Sequence, residues 1–325
     1  MSQILAIALN TFREAIRNRI FFTLAMFAVG MLLLTMAVSA ASLNEEVRLM
    51  KDVGLFLTST FCVVIAIFVG VNLVYKEIER KTIYTIMPKP IYRWQFLLGK
   101  YLGLAATLAV LVLAMGAVLA ALFEWVAQEP GGFVLLIGLG LGWWLADWAV
   151  QAVGARRVDA AARGDLPIVF DRIRRALMLL AAGGLVTYGA THLAWEVQGA
   201  LLLTYIEVLI VIAVALVFSS FSTPFLSGAL AFGVFLVGRF ADRLRTLKLV
   251  QRPEDVGGPL EDVQAFVRGV AEVVPDLSRF NATPYVVYDA HIPGEYLWHA
   301  SVYGLTYAGL CLLLAMALFM RRDFV

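Results

Sequence analysis

Apolar runs long enough to cross a lipid bilayer recur along this chain, and they restrict its folding more than any other feature. A transmembrane helix needs about 20 mostly apolar residues, because ~1.5 Å of rise per residue must cover roughly 30 Å of hydrocarbon. Eight stretches fit: residues 20–41, 53–75, 101–123, 131–150, 176–195, 200–221, 224–240 and 297–320. Within lipid every backbone N–H and C=O must be satisfied internally, and runs of this length meet that demand as helices. The 325 residues are 61% hydrophobic and 15% charged, which leaves more apolar surface than a water-soluble core can hide. The expectation is therefore an all-α polytopic transmembrane helical bundle of about eight spans, forming a single domain over residues 1–325.

Lys and Arg in the connecting segments set orientation. Arg13, Arg17 and Arg19 precede the first span, Lys76, Arg80, Lys81, Lys89, Arg93 and Lys100 follow the second, and Arg321 and Arg322 end the chain. The segment after the fourth span is also basic, with Arg156, Arg157, Arg163, Arg172, Arg174 and Arg175. With eight spans all four basic segments lie on one side, and both termini are cytoplasmic. The opposite side receives residues 241–296, with six basic and nine acidic side chains. The fourth span carries Asp147, the fifth carries Gly183, Gly184 and His192, and the seventh is short. Dropping the fourth and fifth together preserves the parity, so six spans plus an insert is also open. The first span is read as uncleaved, because its apolar block is longer than the 7–15 residues of a signal-peptide core.

Residues 1–19 read as an interfacial helix, with Leu5, Leu9, Phe12 and Ile16 at helical spacing and Arg13 and Arg17 off that stripe. In the segment 241–296, Val263, Phe266, Val267, Val270 and Val274 form one helical face, bounded by Gly257-Gly258-Pro259 and stopped by Pro275. This is a helix lying on the outer membrane face, or a lid over a central path.

Several chemistries are excluded. Gly99-Lys100 is not a phosphate loop, because Trp94 stands where the first glycine belongs and Tyr101 where Ser or Thr belongs. His192, His291 and His299 lack metal-ligand spacing, and Cys62 and Cys311 sit in apolar runs as small core residues. A net charge of +2 gives no argument for nucleic acid. Among polar groups inside spans, Glu207, beside Thr204 and Tyr205, is the best candidate on a translocation path, since a charge in lipid faces a cavity or a partner. The alternative is a carboxylate held by an interhelical hydrogen bond.

The loop at residues 76–100 starts as a helix, with Glu77, Arg80, Lys81 and Tyr84 on a polar face and Ile78, Thr82 and Ile86 on the other. Pro88 and Pro90 end it, and a second helix starts near Ile91 and runs into the third span, where Gly99 and Gly103 are spaced for close helix contact. Such a helix between two spans is a shelf for a cytosolic partner.

The run Glu79-Arg80-Lys81-Thr82, then Pro88-Lys89-Pro90, Arg93 and Leu98-Gly99-Lys100-Tyr101-Leu102-Gly103 resembles the signature of ATP-binding-cassette (ABC) exporter permeases of the second type. It is especially similar to the branch that includes the nitrous-oxide-reductase maturation permease. Thr11-Phe12-Arg13-Glu14-Ala15-Ile16-Arg17-Asn18-Arg19 resembles that family's elbow helix. Ser219-Ser220-Phe221-Ser222-Thr223-Pro224 resembles its polar turn between two late spans, and Val274-Pro275-Asp276-Leu277-Ser278-Arg279-Phe280-Asn281 its outer segment before the last span. The family has six spans, so residues 130–195 read as a two-span insertion.

The resemblance implies a permease subunit, an exporter in a bacterial plasma membrane, that forms the substrate path with a second copy or a paralogue. The chain itself would hold no cofactor and would not be an enzyme; ATP and Mg would belong to a separate cytoplasmic ATPase. Glu77, Glu79, Arg80, Lys81, Thr82, Tyr84, Pro88 and Pro90 would form the coupling helix and its end, braced by Arg93 and Lys100. Two rivals follow from the residues alone: a secondary transporter with Glu207 as its coupling carboxylate, and a non-transporting membrane scaffold.

Overall fold

The computed structural model describes residues 3–40, 45–79, 92–126, 195–246 and 259–321. These residues form helices and turns with no strand among them. The chain is an all-α polytopic bundle. The expected fourth and fifth spans, the insertion at 130–195 before Trp195, and Arg80, Lys81, Thr82, Tyr84, Pro88 and Pro90 lie outside the described residues.

Helix α1 (Gln3–Ile16) is separated from α2 (Arg19–Ala40) by a break at Arg17 and Asn18. Asn18 makes the break, because its side-chain oxygen accepts the Ile20 amide at 3.0 Å and satisfies one of the donors a helix start leaves free. The N-terminal flank is thus a separate helix, not an extension of the first span. Thr11 and Ala15 are buried, while Leu5, Leu9 and Ile16 stay exposed. That is the division expected of a helix seated on the bundle by small residues with its apolar stripe toward lipid.

Helices α3 (Glu46–Glu79) and α4 (Arg93–Val126) each have 34 residues, about 51 Å at 1.5 Å per residue. Both outrun the expected spans 53–75 and 101–123, since nothing in their flanks breaks a helix: no proline occurs in 46–79 or 93–126. The expected coupling helix therefore does not begin afresh at Glu77; Glu77 and Glu79 belong to the last turns of α3. Helix α5 (Trp195–Ser219) is the hub, buried on nearly all faces and packed on α3 and α4. A turn at residues 220–223 leads to α6 (Pro224–Arg239), 16 residues long, with Pro224 in its first turn. The segment after α6 follows as α7 (Ala241–Thr246), α8 (Pro259–Val273), a 3₁₀ turn (Leu277–Phe280) and α9 (Thr283–Val287). The last span is α10 (Gly294–Arg321), which packs along α5.

Among the described residues five helices are long and apolar enough to cross a membrane, α6 being a shorter apolar one. The start of α1 and the end of α10 lie at one end of the bundle: Gly99 of α4 meets Ile4 and Ile7 of α1, and Phe96 stacks on Phe319 of α10 with ring centres 6.3 Å apart. At the far end Lys51 pairs with Asp289, and His291 lies 3.6 Å from Glu196.

Candidate functional site

Glu207 sits in the middle of α5 in an otherwise apolar run and is 1% exposed. A carboxylate there must be paired, since an isolated charge in a low-dielectric medium is costly. Its partner is Arg239, the last residue of α6, whose Nη1 donates to Glu207 Oε1 at 2.9 Å and to Oε2 at 3.2 Å. The same Nη1 donates to Ser59 Oγ of α3 at 2.8 Å, and Ser59 donates to Glu207 Oε2 at 3.0 Å. Three helices thus meet in one closed triangle of hydrogen bonds. The guanidinium also lies 5.8 Å from the centre of the Phe235 ring, one turn back on α6, a favourable cation–π distance.

Thr204 joins this site and Tyr205 does not. Residues three apart on a helix share a face and residues two apart do not. Thr204 lines a cavity of about 10 Å³ with Leu55, Ser59, Arg239 and Phe280, under the segment 281–283. That volume matches roughly one water and excludes a solute. Tyr205 points to α4, where its hydroxyl donates to the Ala105 carbonyl at 3.2 Å, and Tyr101 returns the contact by donating to Leu209 O at 3.4 Å. The three candidate path residues are therefore split between a sealed polar centre and a helix–helix tie.

Arg239 was the residue that sequence reasoning missed. Its signal was the length of α6: 16 residues cover about 24 Å, short of the roughly 30 Å of hydrocarbon. The arginine that ends α6 therefore falls inside the membrane's thickness and needs an anion.

Of the expected ATPase-coupling residues, Glu77 and Glu79 lie on the continuation of α3 past Asn72, and Arg93 opens α4. Lys100 lies within the bundle, 1% exposed, with its ammonium 5.2 Å from the Phe96 ring centre. It is placed as a core residue of the end that holds the termini.

Between α3 and α6, toward that same end, opens a groove of about 540 Å³ lined by Val64, Phe68, Val71, Phe225, Gly228 and Phe232. Phe225 is 87% exposed, so α6 presents an apolar face with no partner among the described residues.

At the far end Asp276 ties the segment after α6 together. Its carboxylate accepts from Arg245 of α7 at 2.9 Å, Arg279 at 3.1 Å and Ser278 at 2.6 Å, and its amide donates to the Tyr303 hydroxyl of α10 at 2.9 Å. Burial alone would raise the Asp276 pKa, but the hydrogen bonds from Ser278 and Arg279 and the charges of Arg245 and Arg279 outweigh it and hold the carboxyl below the usual aspartate range. A depressed folded-state pKa stabilises the fold above the unfolded value, about 3.8, and that contribution is lost as pH falls through the folded value. Asp276→Asn is expected to lower the stability of this segment by roughly 1 kcal/mol near neutral pH, both guanidiniums being partly solvated. The deficit should shrink as the pH falls below the unfolded value and through the depressed folded one. Hydrogen exchange of residues 275–287 at several pH values measures it; a deficit unchanged at low pH would contradict the role of the charge.

A family model described as ABC-2 family transporter protein matches residues 5–242. That range runs from α1 into α7 and contains Ser59, Glu207 and Arg239. It ends before the stretch 274–281, and it identifies the family without the narrower nitrous-oxide-reductase branch. A comparison with curated proteins finds none that matches the chain. Permeases of this family work with a cytoplasmic ATPase subunit. The matched range covers well over half of the chain and takes in four of the five helices that, among the described residues, are long and apolar enough to cross a membrane, so the chain belongs to the ABC-2 family of transporter proteins, as a multi-pass membrane permease.

Proposed function

We propose that this chain is the membrane-spanning half of an ABC exporter, driven by a separate ATPase that docks at the end of the bundle holding both termini. That end is cytoplasmic in this reading, the segment 241–296 is extracytoplasmic, and the membrane is a bacterial plasma membrane. The observation that carries it is the reach of α3. Its apolar run ends at Tyr75, yet the helix continues unbroken through Lys76 to Glu79, about one further turn. A rigid rod that joins the polar centre at Ser59 to an acidic tip at Glu77 and Glu79 is a suitable lever for a push from below. The following residues, Arg80, Lys81, Thr82 and Tyr84, with Pro88 and Pro90 as the stop, complete the proposed coupling segment. Arg93 is placed on the return into α4. ATP and Mg bind in the partner.

A second permease copy or a paralogue would complete the path, and the apolar face of α6 with the adjoining α3 groove is the surface we assign to it. The engagement of Glu207 by Arg239 and Ser59 favours this reading over a gradient-driven transporter. A coupling carboxylate must exchange its cation with water on each side in turn, whereas Glu207 is held by a resident arginine.

The test is co-purification in mild detergent with the cognate ABC ATPase. Co-elution is expected, and Glu79→Lys with Arg80→Glu should abolish it, since like charges brought together at an interface cost several kcal/mol. Association that survives the charge reversal removes the coupling assignment. A well-folded permease that binds no ATPase removes the exporter reading.

A further inference from the structure

We infer that the Ser59–Glu207–Arg239 triangle is a latch that holds the outer end of α6 closed against α3 and α5, and that the path opens outward only when this triangle parts. The inference rests on the proposed reading for the word outward alone; the latch itself follows from geometry.

Helix α6 is built to swing. At its cytoplasmic end it starts from the short turn 220–223 and Pro224. Along its length Leu226, Leu230, Phe232 and Leu236 are exposed, so it leans on the bundle through one face only. Arg239, about 24 Å from the turn, is its one charged contact with α3 and α5, and it grips both through a single nitrogen.

The same helix end carries the outer segment. Gly238, next to Arg239, has its Cα so close to the Pro275 carbonyl that a Cβ there would lie 2.6 Å from that oxygen and 2.9 Å from Leu277 Cγ. Phe280 and the segment 281–283 then roof the small cavity over Ser59, Thr204 and Arg239. Asp276 fastens this roof to α7 through Arg245. Withdrawal of the α6 end from α3 would break the triangle and part Gly238 from Pro275 and Leu277, opening the cavity on its α6 side while the roof keeps its ties to α3 and α10. The pairing of latch and roof on adjacent residues makes the triangle a positioning device, since a purely structural ion pair could sit anywhere along α6.

The test uses Thr204→Cys in a chain carrying Cys62→Ala and Cys311→Ala, labelled by a membrane-impermeant maleimide in right-side-out vesicles. Thr204 is buried under the roof, so labelling in the native latch is expected to be slow. Glu207→Leu combined with Arg239→Leu removes both charges and leaves none unpaired, and should speed labelling about tenfold or more, the scale of lost charged hydrogen bonds. Arg239→Lys keeps the charge and should keep labelling slow. Ser59→Ala removes only the bridging hydroxyl and should give a rise of about threefold, and it carries the test if the double variant does not fold. Labelling of the folded double variant as slow as in the native latch overturns the inference, as does Arg239→Lys labelling as fast as the double variant. So does an unchanged rate in Ser59→Ala. The assay needs neither ATPase nor substrate, so failure of the exporter reading and failure of the latch are told apart. Labelling that occurs only from the opposite face would show that the latch faces inward.

Discussion

Glu207→Ala should cost this protein roughly 3 kcal/mol or more and leave little folded material, while Glu207→Leu with Arg239→Leu should restore most of it. The asymmetry follows from how a buried ion pair is stabilised. Removal of the carboxylate alone leaves a guanidinium, 15% exposed, facing Ser59 and a Phe235 ring, with no other anion in contact among the described residues. A buried charge stripped of its partner costs about 3–5 kcal/mol, and an arginine at mid-span depth roughly 2.5–3.5 kcal/mol on insertion scales. Replacement of both ions by apolar groups removes the desolvation cost with the attraction and is often close to neutral. Thermal midpoints of detergent-solubilised protein measure the difference. A single Glu207→Ala variant as stable as the native chain would mean that Arg239 reaches water without help, and the polar centre would lose its meaning as a sealed site.

The second large effect is expected at Gly103. Helix α1 lies across α4 where Gly99 and Gly103, four residues apart, leave the α4 surface bare. Small residues at this spacing let helix backbones approach closely in a membrane protein, where packing rather than water exclusion drives association. A Cβ on residue 103 would fall 2.5 Å from the Ala8 carbonyl oxygen and 2.7 Å from Thr11 Cβ. The first of these is backbone and cannot turn aside, so Gly103→Leu should lift α1 off α4. An overpacking cost of about 1–3 kcal/mol is expected. Because α1 makes its main contacts with α4, the loss should appear as faster amide exchange confined to residues 3–16. Gly228→Ala is the control, since a Cβ there meets nothing within 4 Å. Undisturbed exchange in Gly103→Leu would show that α1 is held chiefly by lipid.

Much of this architecture was legible in the residues before any fold was seen. The apolar runs located the spans that are described, Pro259 and Pro275 bracketed the amphipathic α8, and the Leu5–Ile16 stripe marked a separate helix before the first span. The helix limits were less legible. Apolar content ends at the lipid boundary, but backbone hydrogen bonding continues until something stops it, so α3 runs through Lys76 to Glu79 as one rod. The candidate site was legible by half. Glu207 stood out as a charge in an apolar run, and its neighbour Thr204 does line the polar centre, while Tyr205 was grouped with it by sequence proximity and turns away by helical geometry.

Composition and periodicity by themselves determined the solvent and the helical class, because those properties are set within windows of about 20 residues. The tertiary structure alone decided what Glu207 is for. Its partners stand 32 and 148 positions away, on helices that α5 packs against only after folding. The same holds for Gly103, whose bareness acquires a function only when the backbone of Ala8 arrives above it. Local pattern specifies which groups must be satisfied, and packing selects the groups that satisfy them.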